Sequence, residues 1–263
     1  MVTGMKYKLE TITKKDLVLF DLANIVNTAE HETNDVIIAK AFLELRDEID
    51  NWTQEQIARK YFVSQAGISR FIGKLGFSSF GQLKNSIRMS QMVIAKMNPA
   101  IQRDFQTAST EIRSQLMEVA DSIVSLDQRE IAETIRLIKE HDTIYFIGSE
   151  LSMAICRLLQ VKLIGNGKNV YTIYNQNYQN EILKFIRPSD LIVVLSMGQR
   201  WYKIYARDSL EKNRDPLKML WTVKPDHEDR QLFRYVVDIG KTDDPNIGYH
   251  YLMQFVLLLY QMV

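Results

Sequence analysis

The hydrophobic period of this 263-residue chain changes at Asp142, and that change limits the folds open to it. Upstream, apolar residues recur three and four positions apart, the spacing that lines one face of a helix. Such segments cover residues 16–29 and 34–49, a pair of short helices within 53–75, Ser79 to about Lys96, and two helices over 110–141. Downstream, β-branched and aromatic runs (Thr143–Ile147, Val170–Tyr174, Asp190–Leu195, Leu217–Val223 and Tyr235–Ile239) alternate with helical segments at 152–164, 177–187 and 201–212. Strands apolar on both faces and separated by helices belong to a parallel sheet covered on each side. The expected fold is an all-α N-terminal domain joined to an α/β C-terminal domain, the latter a doubly wound, five-stranded parallel sheet. Asn98-Pro99 breaks the helical pattern, so the expected boundaries are 1–97 for the helical domain, 98–109 for a linker and 110–263 for the α/β domain.

Residues 53–75 read as two helices joined by a tight turn. Thr53 can cap the first, with Gln56 three positions on in capping-box spacing, while Ile57 and Ala58 face inward. Val63 is the apolar turn residue and Ser64 caps the second helix, whose Ile68, Phe71, Ile72 and Leu75 recur on one face. The opposite face carries Gln65, Ser69, Arg70 and Lys74: short hydrogen-bonding groups near the N-terminus, where base edges would lie, then cations suited to phosphate. Gly67 removes bulk on that face, and Gly76 supplies a left-handed stop. This is the pattern of a DNA-reading helix-turn-helix, although a helical hairpin inside an all-helical core would share much of it.

Charge favours the DNA reading. Between Thr53 and Met97 seven cations (Arg59, Lys60, Arg70, Lys74, Lys84, Arg88 and Lys96) face the single anion Glu55, a local net of +6. Residues 1–52 carry net −4 and residues 98–263 net −1, in a chain of net +1. A near-neutral protein that gathers its positive charge on one helix pair has the footprint of a nucleic-acid binder.

Apolar content of 46% with 25% charge describes a well-packed protein and excludes a disordered one. The single cysteine, Cys156, cannot form an intrachain disulfide, which fits a reducing cytoplasm, and its place between Ile155 and Leu159 reads as core. With no apolar run of about 18 residues and no leader-like N-terminus, neither a membrane span nor secretion is expected. The apolar run Tyr249–Val263 reads as a terminal helix packed on its own domain or on a second subunit. His31, His141, His227 and His250 are scattered without partners at metal spacing, so no metal or cofactor is expected.

Ligands of doubly wound sheets bind beyond the carboxyl ends of strands, where helix N-termini offer free N–H groups to anions. Two loops occupy such places, Gly148-Ser149-Glu150-Leu151-Ser152 and Ser196-Met197-Gly198-Gln199-Arg200. The first lacks the Gly-x-Gly-x-x-Gly turn of nicotinamide sites.

The segment Ile57-Ala-x-x-Tyr-Phe-Val-Ser-Gln-Ala-Gly-Ile-Ser-Arg-Phe-Ile-x-Lys-Leu-Gly76-Phe-x-x-Phe80-x-x-Leu-Lys84 is similar to the signature of the RpiR (MurR/RpiR) family of bacterial transcription regulators. These join an N-terminal helix-turn-helix to a C-terminal sugar isomerase (SIS) domain, and the resemblance covers almost the whole chain. It implies that Ser64, Gln65, Ala66, Ser69 and Arg70 fall in the recognition helix, with Lys74 and Lys84 available to the DNA backbone. Thr53 and Gly67 complete the expected DNA-binding set. Gly67 stands where the family usually has Thr, which implies an altered operator sequence. For the effector site the resemblance implies Gly148, Ser149, Glu150, Ser152, Ser196, Gly198, Gln199 and Arg200. The family's first loop is commonly Gly-x-Gly-x-Ser, and here Glu150 replaces the second glycine, a carboxylate that would repel phosphate. The second loop, usually Ser-x-Ser-Gly-x-Thr, is one residue shorter, with Arg200 in place of the Thr. Arg200 either restores a phosphate contact or pairs with Glu150 and closes the pocket.

The resemblance implies a cytoplasmic, non-enzymatic regulator of sugar or amino-sugar metabolism. Its expected partners are a double-stranded DNA operator, a phosphosugar effector and a second copy of itself, with no membrane partner. The alternative is a phosphosugar isomerase with an accessory domain, its base Glu150 or Glu181.

Overall fold

The computed structural model describes residues 13–97, 103–197, 201–223, 225–242 and 244–263. The chain divides into two compact units between residues 102 and 103.

In the first unit a 3-10 turn at Lys14–Leu17 leads into five helices: α1 (Val18–Asn27), α2 (Asn34–Glu44), α3 (Gln54–Lys60), α4 (Gln65–Lys74) and α5 (Phe80–Met97). Each start has a local cause. Thr33 Oγ1 accepts the Val36 N–H at 3.3 Å to open α2, and Ser79 Oγ accepts the Gln82 N–H at 3.2 Å to open α5. The helix expected over 34–49 stops early. Arg46 donates to the Leu43 carbonyl at 2.7 Å, satisfying a last-turn acceptor, and a 3-10 turn at Ile49–Asn51 then carries Ile49 into the core. That core gathers Leu22, Ile38, Phe42, Ile57, Phe71 and Ile87 from all five helices. The Phe42 ring lies 6.1 Å from Phe71 and 6.0 Å from Phe80, so α2 meets both α4 and α5.

The second unit runs α6 (Phe105–Val124), α7 (Gln128–Glu140), β1 (Thr143–Gly148), α8 (Glu150–Gly165), β2 (Asn169–Thr172), α9 (Gln176–Ile182), β3 (Leu191–Ser196), α10 (Trp201–Tyr205), α11 (Arg207–Lys212), β4 (Leu217–Thr222), α12 (Asp229–Leu232), β5 (Tyr235–Asp238) and α13 (Pro245–Met262). Residues 105–109, expected in the linker, are helical instead. Asp104 caps α6 by accepting the Thr107 N–H at 2.9 Å, and Thr110 folds its hydroxyl back onto the Gln106 carbonyl at 2.8 Å, so these polar residues serve the helix. The helix expected over 177–187 ends at Ile182, where the Asn213 side-chain amide takes the Leu183 carbonyl. The helix expected over 201–212 breaks at Ala206 (φ −128°), and Tyr202 and Leu210 on either side of the break share one core.

Five parallel strands lie in the order β2-β1-β3-β4-β5, with Ile144 opposite Leu191 and Gly148 opposite Leu195. The central strand β3 is buried at all six positions, the signature of a sheet covered on both faces. Phe146, Val193 and Trp221 face α7, α8 and α13, while Ile147, Val194 and Leu220 face α9, α10 and α11. From β1 the chain crosses through α8 to β2 on one side, then returns through α9 to β3 on the other. The direction of winding reverses between β1 and β3, which puts the topological switch point of the sheet at their carboxyl ends.

Candidate functional site

The helix-turn-helix is built by its caps. Thr53 Oγ1 accepts the Gln56 N–H at 3.2 Å while Gln56 Oε1 accepts the Thr53 N–H at 2.8 Å, and Ser64 Oγ accepts the Gly67 N–H at 3.0 Å. Ile68, Phe71 and Ile72 of α4 are buried, which turns Gln65, Ala66, Ser69, Arg70 and Lys74 outward as one exposed face. A Cβ at Gly67 would lie 3.1 Å from the Ser64 hydroxyl, so a larger residue there would crowd the cap that starts the helix. Between the helices, the Val63 N–H reaches back to the Ala58 carbonyl at 3.1 Å, a closure that needs a left-handed residue before it. That residue is Phe62, at φ 56°, a conformation costing roughly 1–2 kcal/mol for a residue with a side chain.

The cations behave less uniformly than their count implies. Lys74 pairs with Asp35 at 2.6 Å, Arg88 with Asp50 at 2.6 Å, Lys60 with Glu44 at 3.2 Å and Arg59 with Glu55 at 3.5 Å. The Lys60 hydrogen bond holds the Glu44 carboxyl below its ordinary value. Lys84 is a clasp: its ammonium donates to the Asp50 carbonyl at 3.2 Å and the Trp52 carbonyl at 2.7 Å, over the Phe80 ring at 4.8 Å. The acidic residues of α2 and the following turn thus meet the basic residues of α3–α5, leaving residues 1–97 at a net +2. Exposed pairs of this kind are worth under about 1 kcal/mol each, so phosphate can compete for Lys74. Arg70 is exposed and has no charge partner or hydrogen bond among the described residues.

In the second unit the loop after β1 lies at the switch point. Gly148 ends β1, where a Cβ would come within 3.0 Å of the Leu195 carbonyl and of Met153 Cε, so strand and helix approach closely only with glycine there. Ser149 caps α8, accepting the Ser152 N–H at 3.3 Å, with the two hydroxyls 2.9 Å apart. Glu150 is the exposed first residue of α8, and Ser152 is buried. Ser196 ends β3, buried, and its hydroxyl has no hydrogen-bond partner among the described residues. Gly198, Gln199 and Arg200 lie outside the described residues, and the expected choice between a phosphate contact and a Glu150 pair for Arg200 lies there with them.

Two residues here were not anticipated from sequence. Tyr249 on α13 places its hydroxyl 3.0 Å from Ser149 Oγ, so a neutral group of the same chain occupies the cap of α8. Gly248 beside it leaves room for the chain after β3, where a Cβ would stand 3.0 Å from Met197 Cβ. Gln179 on α9, 1% exposed, donates its amide to the Gly148 carbonyl at 2.9 Å and to the Ile173 carbonyl, leaving its own buried oxygen unpaired. A glutamine between Tyr178 and Asn180 in a polar stretch gave no sign of burial, and Tyr249 looked like one more apolar position of a terminal helix.

Other polar side chains of the second unit hold its structure together. Tyr202 is core: its phenol donates to the buried Asp229 carboxylate, and burial followed by that partner raises its pKa. Lys203 pairs with Asp226 at 2.5 Å, tying α10 to the turn before α12. Tyr171 stacks on Tyr145 at 5.0 Å along the sheet edge. No group of three or more potential metal ligands occurs among the described residues, and none of their helices is long and apolar enough to cross a membrane.

Comparison with known proteins places this architecture. No family model matches the chain. An uncharacterized HTH-type transcriptional regulator of Thermotoga maritima is 30% identical over 138 residues, 51% of this chain and 49% of that one. The chain therefore spans about half the length of the curated relative it matches. The Vibrio vulnificus NanR protein complexed with ManNAc-6P has the same fold, with a TM-score of 0.51 at 15% identity over 93% of this chain and 90% of that chain. The sugar isomerase domain of an RpiR transcription factor from Sphaerobacter thermophilus aligns at 17% identity with a TM-score of 0.48, covering 60% of this chain and 89% of that domain. Fold and site together define a helix-turn-helix unit followed by a doubly wound parallel α/β unit, the fold shared with the Vibrio protein.

Proposed function

We propose that this protein is a sequence-specific DNA-binding transcription regulator of sugar or amino-sugar metabolism, acting in the cytoplasm as a dimer. The observation that carries this reading is the exposed face of α4: Gln65, Ala66, Ser69 and Arg70 stand clear of the core at the N-terminal half of a capped recognition helix. Residues there meet base edges when such a helix enters the major groove, and the unpaired Arg70 suits a guanine or a phosphate. Operators of helix-turn-helix proteins are commonly two half-sites, so a second copy is expected on geometric grounds. On α6 the apolar residues Ile112, Leu116 and Met117 form an exposed face, and in a 20-residue helix only Val119 is fully buried, which favours a second copy as the partner of that face.

The proposed effector is a phosphosugar, bound at the carboxyl ends of β1 and β3 by Ser149, Ser152 and Ser196 with the loop that follows. NanR, complexed with ManNAc-6P, supplies the ligand class. An isomerase is disfavoured, because Glu181 is an exposed residue paired with Lys184 at 2.7 Å and Glu150 lies exposed on the first turn of α8. Binding to a random-sequence duplex library with repeated selection tests the reading. Enrichment of a palindromic site, with salt-sensitive affinity, is the expected result, and no enrichment over the starting library sinks it.

A further inference from the structure

Phe62 is the one non-glycine residue with positive φ among the described residues, and it is 96% exposed. A left-handed helix end favours Gly or Asn, and an apolar ring favours the interior. At this position the chain follows neither preference. Its neighbours Tyr61 and Val63 pack against the core of the first unit, but Phe62 does not. A strained backbone that displays a large side chain outside the core points toward a partner for that side chain.

The position names the partner. Phe62 closes α3 and stands two residues before Ser64, the cap of α4, beside the exposed Gln65 and Ala66. When the N-terminal residues of a recognition helix reach base edges, the turn feeding that helix lies at the rim of the major groove. Sugar C–H groups and thymine methyls present apolar surface there, and phenylalanine is one of the side chains that contact a thymine methyl. Arg59 and Lys60, at the end of α3, are held in exposed pairs with Glu55 and Glu44 that phosphate can compete for, and Arg70 on α4 has no charge partner among the described residues, which matches a nucleic acid in preference to another apolar surface.

Resting on the DNA-binding reading above, we propose that Phe62 is a direct operator contact. Its ring packs on the sugar and methyl groups flanking the bases met by Gln65 and Ala66, and it acts through apolar contact, not charge.

The test uses the full chain and the duplex that wild type enriches from a random library, with the variants Phe62→Asn and Phe62→Tyr. Asn relieves the left-handed strain, so F62N melts at or above the wild-type temperature. Its affinity for the selected duplex falls roughly tenfold, the scale of one lost base-edge contact. F62Y, which keeps the ring, binds within about threefold of wild type. The slope of log affinity against log salt stays the same in F62N, because no phosphate contact is lost. Affinity of F62N within twofold of wild type overturns the proposal while leaving DNA binding intact, and so does a loss accompanied by a shallower salt slope or a lower melting temperature. A wild type that enriches no duplex overturns the DNA reading and this proposal with it.

Discussion

The two candidate sites are finished to different degrees. On α4 the polar groups point outward and Arg70 has no charge partner among the described residues, so the surface that would meet DNA is already formed. At the ends of β1 and β3 the polar groups point inward: Ser149 is held by Tyr249, Ser152 is buried against Ser149, and Gln179 spends its amide on two backbone carbonyls. A duplex is a large, rigid anion that an exposed helix can meet as it stands. A small ligand must be surrounded, and the cap of α8 is already held by a hydroxyl of the same chain. The difference teaches that binding on the first unit is a matter of surface chemistry, whereas binding on the second requires displacing an internal contact.

The largest effect that sharpens this contrast is expected at Arg70. Arg70→Ala should lower affinity for the selected duplex about 10- to 100-fold, the range for losing one base or phosphate contact, while the melting temperature moves by less than about 1 °C. A loss of stability comparable to the loss of binding would remove Arg70 from the interface. Next in size is Lys84→Ala, which unclasps the Asp50 and Trp52 carbonyls and should destabilise the first unit by about 1–2 kcal/mol in chemical denaturation. Unchanged stability together with a lower salt slope would restore Lys84 to the role of a phosphate contact.

Tyr249→Phe addresses the other side of the comparison. Removing the hydroxyl frees Ser149 at a cost of about 1 kcal/mol or less in stability. Calorimetric titration with hexosamine 6-phosphates should then show affinity raised about three- to fivefold, since the ligand no longer competes with an internal group. Weaker binding in the variant would mean that Tyr249 holds the ligand instead of its place. The smallest effect belongs to Lys74→Ala. Breaking an exposed pair with Asp35 costs about 0.5 kcal/mol or less, but the salt slope for DNA should fall by about 0.9 if Lys74 reaches a phosphate. An unchanged slope confines Lys74 to its pair.

Much of this was legible in the chain itself. The caps Thr53 and Ser64 and the buried set Ile57, Ile68, Phe71 and Ile72 follow from spacing, because a helix repeats its faces whatever it packs against. All five strands fall within two residues of their expected ends, since β3 and its neighbours are apolar on both faces and little else is that hydrophobic over so short a run. Less legible were the helix ends at Glu44, Ile182 and Ala206. Each is decided by a side chain or a burial that the local pattern does not contain: Arg46 on a carbonyl, Asn213 reaching from the end of α11 to the Leu183 carbonyl, Tyr202 and Leu210 sharing a core. Polar residues 105–109 resembled a linker because a helix start and a loop use the same Ser, Thr and Asp.

Net charge divides the same way. A surplus of +6 on residues 53–97 is a property of the sequence, but the distance between Lys74 and Asp35, 39 positions apart, belongs to the folded unit. The sequence by itself determined the two kinds of unit, the order of their elements and the residues on the exposed face of α4, because these depend on periodicity and on caps a few residues long. Only the tertiary structure decided that Lys74 and Lys84 have partners while Arg70 has none, that Phe62 stands left-handed in solvent, and that Tyr249 reaches Ser149 across 100 positions. Such contacts form between groups the chain brings together only after its cores have assembled, and no local spacing encodes them.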